Sequence, residues 1–436
     1  MLDLSPLRES RGFALLWTGQ AVSEIGTQLT RVAVPFHVYA VTGSSLVVGM
    51  VSLAQLVPLL VCSLLGGSVA DAVDRRRLLV VVQSALAVVT AGLALTALLD
   101  DPPLWPFFVL TAVSAGLSAI DSPARTASVA SLVRREKLSS AFALNQSLNQ
   151  VGHIVGPAVA GVVIAAVGVS AAFWIDVVTF LVSVAVVSRM RPMPPAADAP
   201  RPGLKSIAEG LRFLRGKQAL QGCFLADVNA MVFGLPRALF PALGTGLFGG
   251  GAAVVGLLYA APGVGALVGA LTAGWVSSVR RQGMAVVLAI VTWGVAIAGF
   301  GLTSYLPLAL LLLAVAGAAD VISAVFRQTI LQLSVPDHLR GRLSSVHVGV
   351  VTGGPLLGDA RAGAVANAST AELSVVSGGL ACAVTMLALA WRLPALRRWT
   401  LADGVVDPSS QAAPQYVSAP DDEGPAPADD KGTGRA

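Results

Sequence analysis

The chain has 436 residues, 55% of them hydrophobic and only 12% charged, with a formal net charge of +5 and a mean hydropathy of +0.76. A soluble domain carries about 25% charged residues, so the chain has too little polar surface to be a water-soluble globule, and its main solvent must be lipid. The positive balance points to anionic headgroups rather than to nucleic acid, because no basic run is interleaved with aromatics.

A membrane-crossing helix needs about 20 mostly apolar residues. In chain order such stretches fall near 13–41, 46–70, 78–99, 104–122, 141–167 and 171–188, then near 219–243, 252–277, 284–303, 306–326, 343–368 and 373–391. The first is too long for a cleaved signal peptide and is interrupted by Gln20, Glu24, Gln28 and Arg31. The expected fold is therefore an all-α membrane protein of twelve transmembrane helices. It divides into an N-terminal six-helix bundle (1–188), a linker (189–218), a C-terminal six-helix bundle (219–393) and a polar tail (394–436). The linker opens Pro-rich from Pro192 to Pro202. It then places Leu204, Ile207, Leu211 and Leu214 on one face flanked by Lys205, Arg212 and Arg215, the pattern of a helix lying on the membrane surface. Past residue 403 the composition predicts disorder.

Basic residues sit on alternate connections: Arg75–Arg77, Arg134, Arg135 and Lys137, the linker, Arg280 and Arg281, then Arg340 and Arg342. Lys and Arg resist translocation, so these loops and both termini are expected in the cytoplasm, with the protein in the plasma (inner) membrane. Cys62, Cys223 and Cys382 lie inside apolar stretches without metal-ligand spacing, and no metal or cofactor is expected.

The two halves repeat one another at a distance of about two hundred residues. Arg31 and Pro35 return as Arg237 and Pro241, Arg125-Thr126 as Arg327-Gln-Thr329, Leu138-Ser-Ser140 as Leu343-Ser-Ser345, and Gly156-Pro157 as Gly354-Pro355. Parallel six-span repeats build transporters that rock about a site near the bilayer midplane.

At this level the chain resembles the major facilitator superfamily over residues 10–395. The loop after the second span, Gly67-Ser-Val-Ala-Asp71-Ala-Val-Asp74-Arg75-Arg76, is similar to that superfamily's signature loop, with Ala72 and Asp74 departing from it. The fifth span, Gly152-His-Ile-Val-Gly156-Pro157-Ala-Val-Ala160-Gly161, is similar to the antiporter motif of drug–proton exporters, with Ala160 replacing a glycine. Together with Arg31, Pro35 and Ser122-Pro-Ala-Arg125, these segments look most like the enterobactin-exporter and macrolide-efflux branch. The resemblance implies a gating role for Gly67, Asp71, Arg75 and Arg76, with Asp71 meeting the start of the eleventh span near Arg342. It also implies export of a small molecule.

Ionisable groups within a membrane are costly and usually face a cavity. Gln20, Glu24, Gln28 and Arg31 recur on one helical face. Glu24 and, at the matching place in the second half, Asp227 are the expected proton-coupling carboxylates, with Arg31 and Arg237 as charge partners. The alternative is a pair of permanent salt bridges. Asn145, Asn149 and His153 form a polar face on the fifth span. With Gln20, Gln28, Asn229, Trp174 and Phe233 they are the expected substrate-cavity residues. Asp176 is expected near the outer headgroups, Asp320 near Arg327, and Asp359 and Arg361 as mutually neutralising.

No Gly-x-x-x-x-Gly-Lys-Ser/Thr loop holds ATP phosphates, and no nucleophile–base constellation suggests an enzyme. The reading is a monomeric, proton-coupled exporter of small amphipathic or hydrophobic molecules such as drugs, siderophores or secondary metabolites. Its partners are cargo, protons and the lipid bilayer. The rival readings are an importer or uniporter of a small polar solute, and a membrane receptor or scaffold that does not transport.

Overall fold

The computed structural model describes residues 3–194 and 212–404. The surface-helix positions Leu204, Lys205, Ile207 and Leu211, and the tail beyond 404, lie outside the described residues. So do the side chains of Asp71, Arg340 and Arg342.

Twelve principal helices follow in order: α1 Arg11–Thr42, α2 Ser45–Ala72, α3 Arg75–Thr96, α4 Trp105–Leu132, α5 Leu138–Val167, α6 Val169–Val187, α7 Gln218–Phe233, α8 Gly251–Thr272, α9 Gln282–Leu302, α10 Leu306–Ser334, α11 Asp337–Ala368 and α12 Ala371–Arg392. Ten of the described helices, α7 being counted through Leu247, are long and apolar enough to cross a membrane. The two others, α1 and α11, are also the longest at 32 residues each. Both carry charges in mid-course: Glu24 and Arg31 in α1, Asp359 and Arg361 in α11.

Local chemistry sets several boundaries. Ser10 and Ser44 accept hydrogen bonds from the Phe13 and Val47 amides and so cap α1 and α2. Asp74 does the same for α3 through the Arg77 amide at 2.9 Å. Gly43, at φ 61°, ends α1 in the left-handed region that suits a residue without Cβ.

The seventh element departs from the single span expected over 219–243. Helix α7 stops at Phe233 and is followed by a 3-10 turn at Arg237–Leu239, a short helical piece at Phe240–Ala242 and a π-turn at Leu243–Leu247. Gly234, Pro236 and Pro241 account for the break, since proline lacks an amide donor and clashes with the preceding turn. Three more residues separate Asp227 from Arg237 than separate Glu24 from Arg31. The second half therefore unwinds where α1 runs straight through Pro35.

The packing repeats from half to half. In the first, α1 lies against α5 and α6, α2 against α4, and α3 against α4 and α6. In the second, α7 lies against α11 and α12, α8 against α10, and α9 against α10 and α12. The halves meet through α2 on α11 and α5 on α8. Their closest approaches use glycine. A Cβ on Gly161 would stand 2.7 Å from the Ala252 carbonyl oxygen and 2.9 Å from Gly256 Cα, and one on Gly49 would stand 2.7 Å from the Asp359 carbonyl oxygen. An apolar core of Leu29, Val32, Val48, Ile164, Ala238, Ala252 and Val255 spans the same seam.

These approaches lie toward the end bearing the 43–44, 168 and 369–370 turns. At the opposite end Arg76 donates to the Ser188 carbonyl and the Met193 amide donates to Asp74. Lys137 meets Asp3 at 3.2 Å, and the Leu401 amide donates to the Arg280 carbonyl at 3.3 Å. Both ends of the described chain thus share one face of the bundle with the arginine-bearing turns.

Candidate functional site

A cavity of about 630 Å³ opens in the first half. Helix α1 contributes Gln20, Ser23, Glu24, Thr27 and Arg31 from one face, as the four- and three-residue spacing requires. Helix α4 contributes Ser118, Asp121, Ser122, Arg125 and Thr126, and α5 contributes Phe142, Asn145, Gln146 and Asn149. These stretches of α4 and α5 are the ones nearest the arginine-bearing end, so the cavity lies away from the seam where the halves touch.

Its wall mixes charge, amide and aromatic surface. Arg125 pairs with Asp121 one turn earlier, and Gln83 also donates to Asp121, at 3.4 Å. Gln20 donates to Asn149 at 3.4 Å. Glu24 accepts from Gln28 at 2.6 Å, and the Gln28 amide nitrogen lies 3.1 Å from His153 Nδ1. Gly152 and Gly156 allow this. A Cβ at either would stand 2.8 Å from Glu24 Cγ or 2.5 Å from Gln28 Cβ. Arg125 Nη1 and Asn145 Oδ1 are buried without a hydrogen-bond partner among the described residues.

Of the expected cavity residues, Gln20, Asn145 and Asn149 line this space together with Glu24 and Arg31. Gln28 and His153 stand behind Glu24 rather than in the wall. Trp174 is 39% exposed on the bundle surface. Phe233 lies under the Arg361 guanidinium at 5.2 Å. Asn229 is buried, donating to the Cys382 carbonyl at 2.9 Å and accepting from Thr385.

A second cluster is sealed inside the other half, and its pairing differs from expectation. Asp227 does not meet Arg237. Its Oδ1 lies 2.9 Å from Arg327 Nη2 and its Oδ2 lies 3.1 Å from His347 Nδ1. Asp227 is 0% and Arg327 2% exposed, with Asp320 Oδ1 at 4.0 Å from the same Arg327 nitrogen. Arg237 is carried away by the break after α7, and Tyr259 donates to its carbonyl at 3.0 Å. Likewise Glu24 and Arg31 share the cavity without an ion pair among the described residues.

Two further expectations change. Asp176 faces α1 rather than the outside of the bundle. It is 1% exposed and accepts from Thr30 at 2.5 Å, in a gap left by Gly26. Asp359 and Arg361 do not pair among the described residues. Asp359 accepts from the Ala238 amide at 2.9 Å and, across the seam, from Ser52 at 3.3 Å, while Arg361 donates to the Val232 carbonyl at 3.1 Å. The repeat register shifts accordingly. Gly161 packs on α8 as Gly363 packs on α2, and Pro157 faces Gly256 as Asp359 faces Gly49. Gly156-Pro157 therefore matches Gly358-Asp359, one helical turn beyond Gly354-Pro355.

Asp121 and His347 are site residues that the sequence reading did not single out, and Arg327 entered it only as the expected neighbour of Asp320, which it meets at 4.0 Å. The available signals were the four-residue step from Asp121 to Arg125 and the recurrence of Arg125 as Arg327.

This architecture is that of a multi-pass membrane transporter with the major facilitator fold. The nucleoside transporter NupG superposes with a TM-score of 0.73 at 12% identity, covering 89% of this chain and 100% of that one. A bacterial homologue of the human lysosomal transporter Spinster, in an inward-facing and unoccupied conformation, superposes with a TM-score of 0.70 at 14% identity, covering 89% and 98%. The family model described as transmembrane secretion effector matches residues 2–420, and the chain belongs to that family of major facilitator transporters. It is not an enzyme. The enterobactin exporter EntS of Citrobacter koseri is 28% identical over 399 residues, covering 92% of this chain and 96% of that protein.

Proposed function

We propose that the protein is a monomeric, proton-coupled secondary exporter of the inner membrane, moving a small amphipathic molecule outward by alternating access. In this reading α1 and α11 join the ten apolar helices as spans, giving twelve. Their charges are tolerated because Glu24 and Arg31 face the cavity, Asp359 the seam and Arg361 the backbone of α7 rather than lipid. The arginine-bearing end and both termini are cytoplasmic, as the resistance of Lys and Arg to translocation demands. The seam between the halves is then the closed outer side, and the cavity opens inward. The loop holding Gly67, Asp71, Arg75 and Arg76 acts as the inner gate.

The observation that carries the reading is the cavity itself. Glu24, Arg31, Asp121 and Arg125, groups that are expensive within a bilayer, surround a space of about 630 Å³, the size of a small-molecule site. Phe142 and Phe180 add apolar wall, while Gln20, Asn149 and Gln146 supply hydrogen-bonding groups for a guest. Enterobactin, named for the Citrobacter koseri relative, is the first cargo to test, ahead of drugs and other secondary metabolites. Glu24 in the cavity and the cluster around Asp227 in the other half are the groups through which protons drive expulsion.

The test compares cells with and without the protein for secretion of enterobactin and for resistance to a panel of hydrophobic drugs. Increased secretion or resistance that is lost with Glu24→Gln supports the reading. Inward accumulation of a test solute would replace export with import.

A further inference from the structure

The halves use equivalent positions for different chemistry. In the register set by the seam glycines, Arg125 and Asn145 correspond to Arg327 and His347, and Glu24 falls one place before Asp227. Glu24, Arg125 and Asn145 all line the cavity. Asp227, Arg327 and His347 close on one another instead. Arg327 and His347 approach the two oxygens of Asp227 at 2.9 and 3.1 Å, and His347 alone keeps a quarter of its side chain exposed.

We infer that His347 carries the coupling proton of the second half, with Asp227 and Arg327 as the fixed charges that hold it. This rests on the reading of the protein as a proton-driven exporter and names the group that titrates in it. Two carboxylates, the enclosed Asp227 at 2.9 Å and the 38% exposed Asp320 at 4.0 Å, face one guanidinium, Arg327, leaving the cluster one positive charge short. An uncompensated charge away from water is costly, and an imidazolium at His347 supplies the balance. Asp227 cannot play that part as readily, because its charge is already matched by the buried Arg327.

Beside the acidic Asp320, His347 is the member of the cluster whose side chain stays partly exposed, at 25%. Helix α7 presents Asp227, Cys223 and the edge of Phe224, whose ring centre is 6.3 Å away. Helix α10 presents Arg327 and Asp320. Helix α12 is charged only at Glu372 and Arg392, and its Cys382 and Thr385 engage Asn229. Helix α2 has no acidic, basic or histidine residue between Ser45 and Ala70. On α11 itself Arg340 and Arg342 lie one to two turns toward its start, and Asp359 lies far along the helix. The ring's Nδ1 lies 3.1 Å from Asp227, so a proton gained by the ring is held close to that carboxylate. Helix α11 also makes the seam contact with α2 through Gly363 and Asp359. One rigid element therefore joins the proton site to the moving interface.

Isotope-labelled histidine makes this testable without a cargo, because the chain has four histidines: His37, His153, His338 and His347. His347→Gln identifies the His347 ring signal, and the three remaining signals report that the variant is folded. The expected result is a His347 signal that changes between protonated and neutral forms across a pH series, with that change altered in Asp227→Asn. A ring that keeps one form across the series, or is indifferent to Asp227→Asn, overturns the inference. In vesicles loaded with enterobactin, His347→Gln is expected to retain exchange down a concentration gradient and lose uphill, gradient-driven flux. Uphill flux at the wild-type level would also overturn it. If the wild-type protein does not move enterobactin at all, the cargo reading fails while the ring titration still decides the role of His347.

Discussion

Asp227 shows how far a single buried charge depends on its partner. It is fully enclosed, and the contacts within ion-pair distance are Arg327 and His347. Removing one member of such a pair strands the other and costs about 3–5 kcal/mol. Arg327→Met is therefore expected to lower the melting temperature of the purified protein sharply, and Asp227→Asn combined with Arg327→Met to recover much of the loss. Single and double variants that melt alike would contradict the pairing. Gly26 makes a second case. A Cβ there would stand 2.9 Å from Asp176 Cα and press on Thr179, so Gly26→Leu is expected to overpack the contact of α1 with α6 by about 1–3 kcal/mol. A thermal melt checks this, and unchanged stability would show that α6 can retreat freely.

At the scale of elements, the break after α7 explains what the sequence could and could not reveal. The spans were legible because runs of about twenty apolar residues have few other uses. The partner of Asp227 was not. Arg237 is ten positions away and matches Arg31, yet the extra residues around Pro236 unwind the chain and carry it elsewhere. Arg327 lies a hundred residues downstream, where the sequence offered it to Asp320 and as the recurrence of Arg125, not to Asp227. The cavity wall was half legible. The α1 stripe and the α5 asparagines follow from helical spacing, whereas Asp121 joins them only because α4 packs on the same face. Unwinding also frees the Ala238 amide, which Asp359 accepts. Asp359→Ala leaves that donor buried and unpaired, an expected loss of about 1–3 kcal/mol. Ser52→Ala, which removes only the link across the seam, is expected to cost less. Equal melting temperatures for the two variants would contradict this division.

The described residues form two bundles that meet along α2 with α11 and α5 with α8, held close at one end where Gly161 meets Gly256. Gly161→Leu is expected to force that end apart and to raise labelling of a Ser52→Cys reporter by a membrane-impermeant maleimide added outside cells. Unchanged labelling would mean that this contact does not close the outer side. The account as a whole turns on proton-driven expulsion from the inward-opening cavity. Its most direct test is the purified protein in vesicles with enterobactin and an imposed proton gradient. The account predicts uphill flux that stops when the gradient is collapsed and is absent in Asp227→Asn, while exchange without a gradient continues. Flux indifferent to the gradient, or full uphill flux in folded Asp227→Asn, would contradict it.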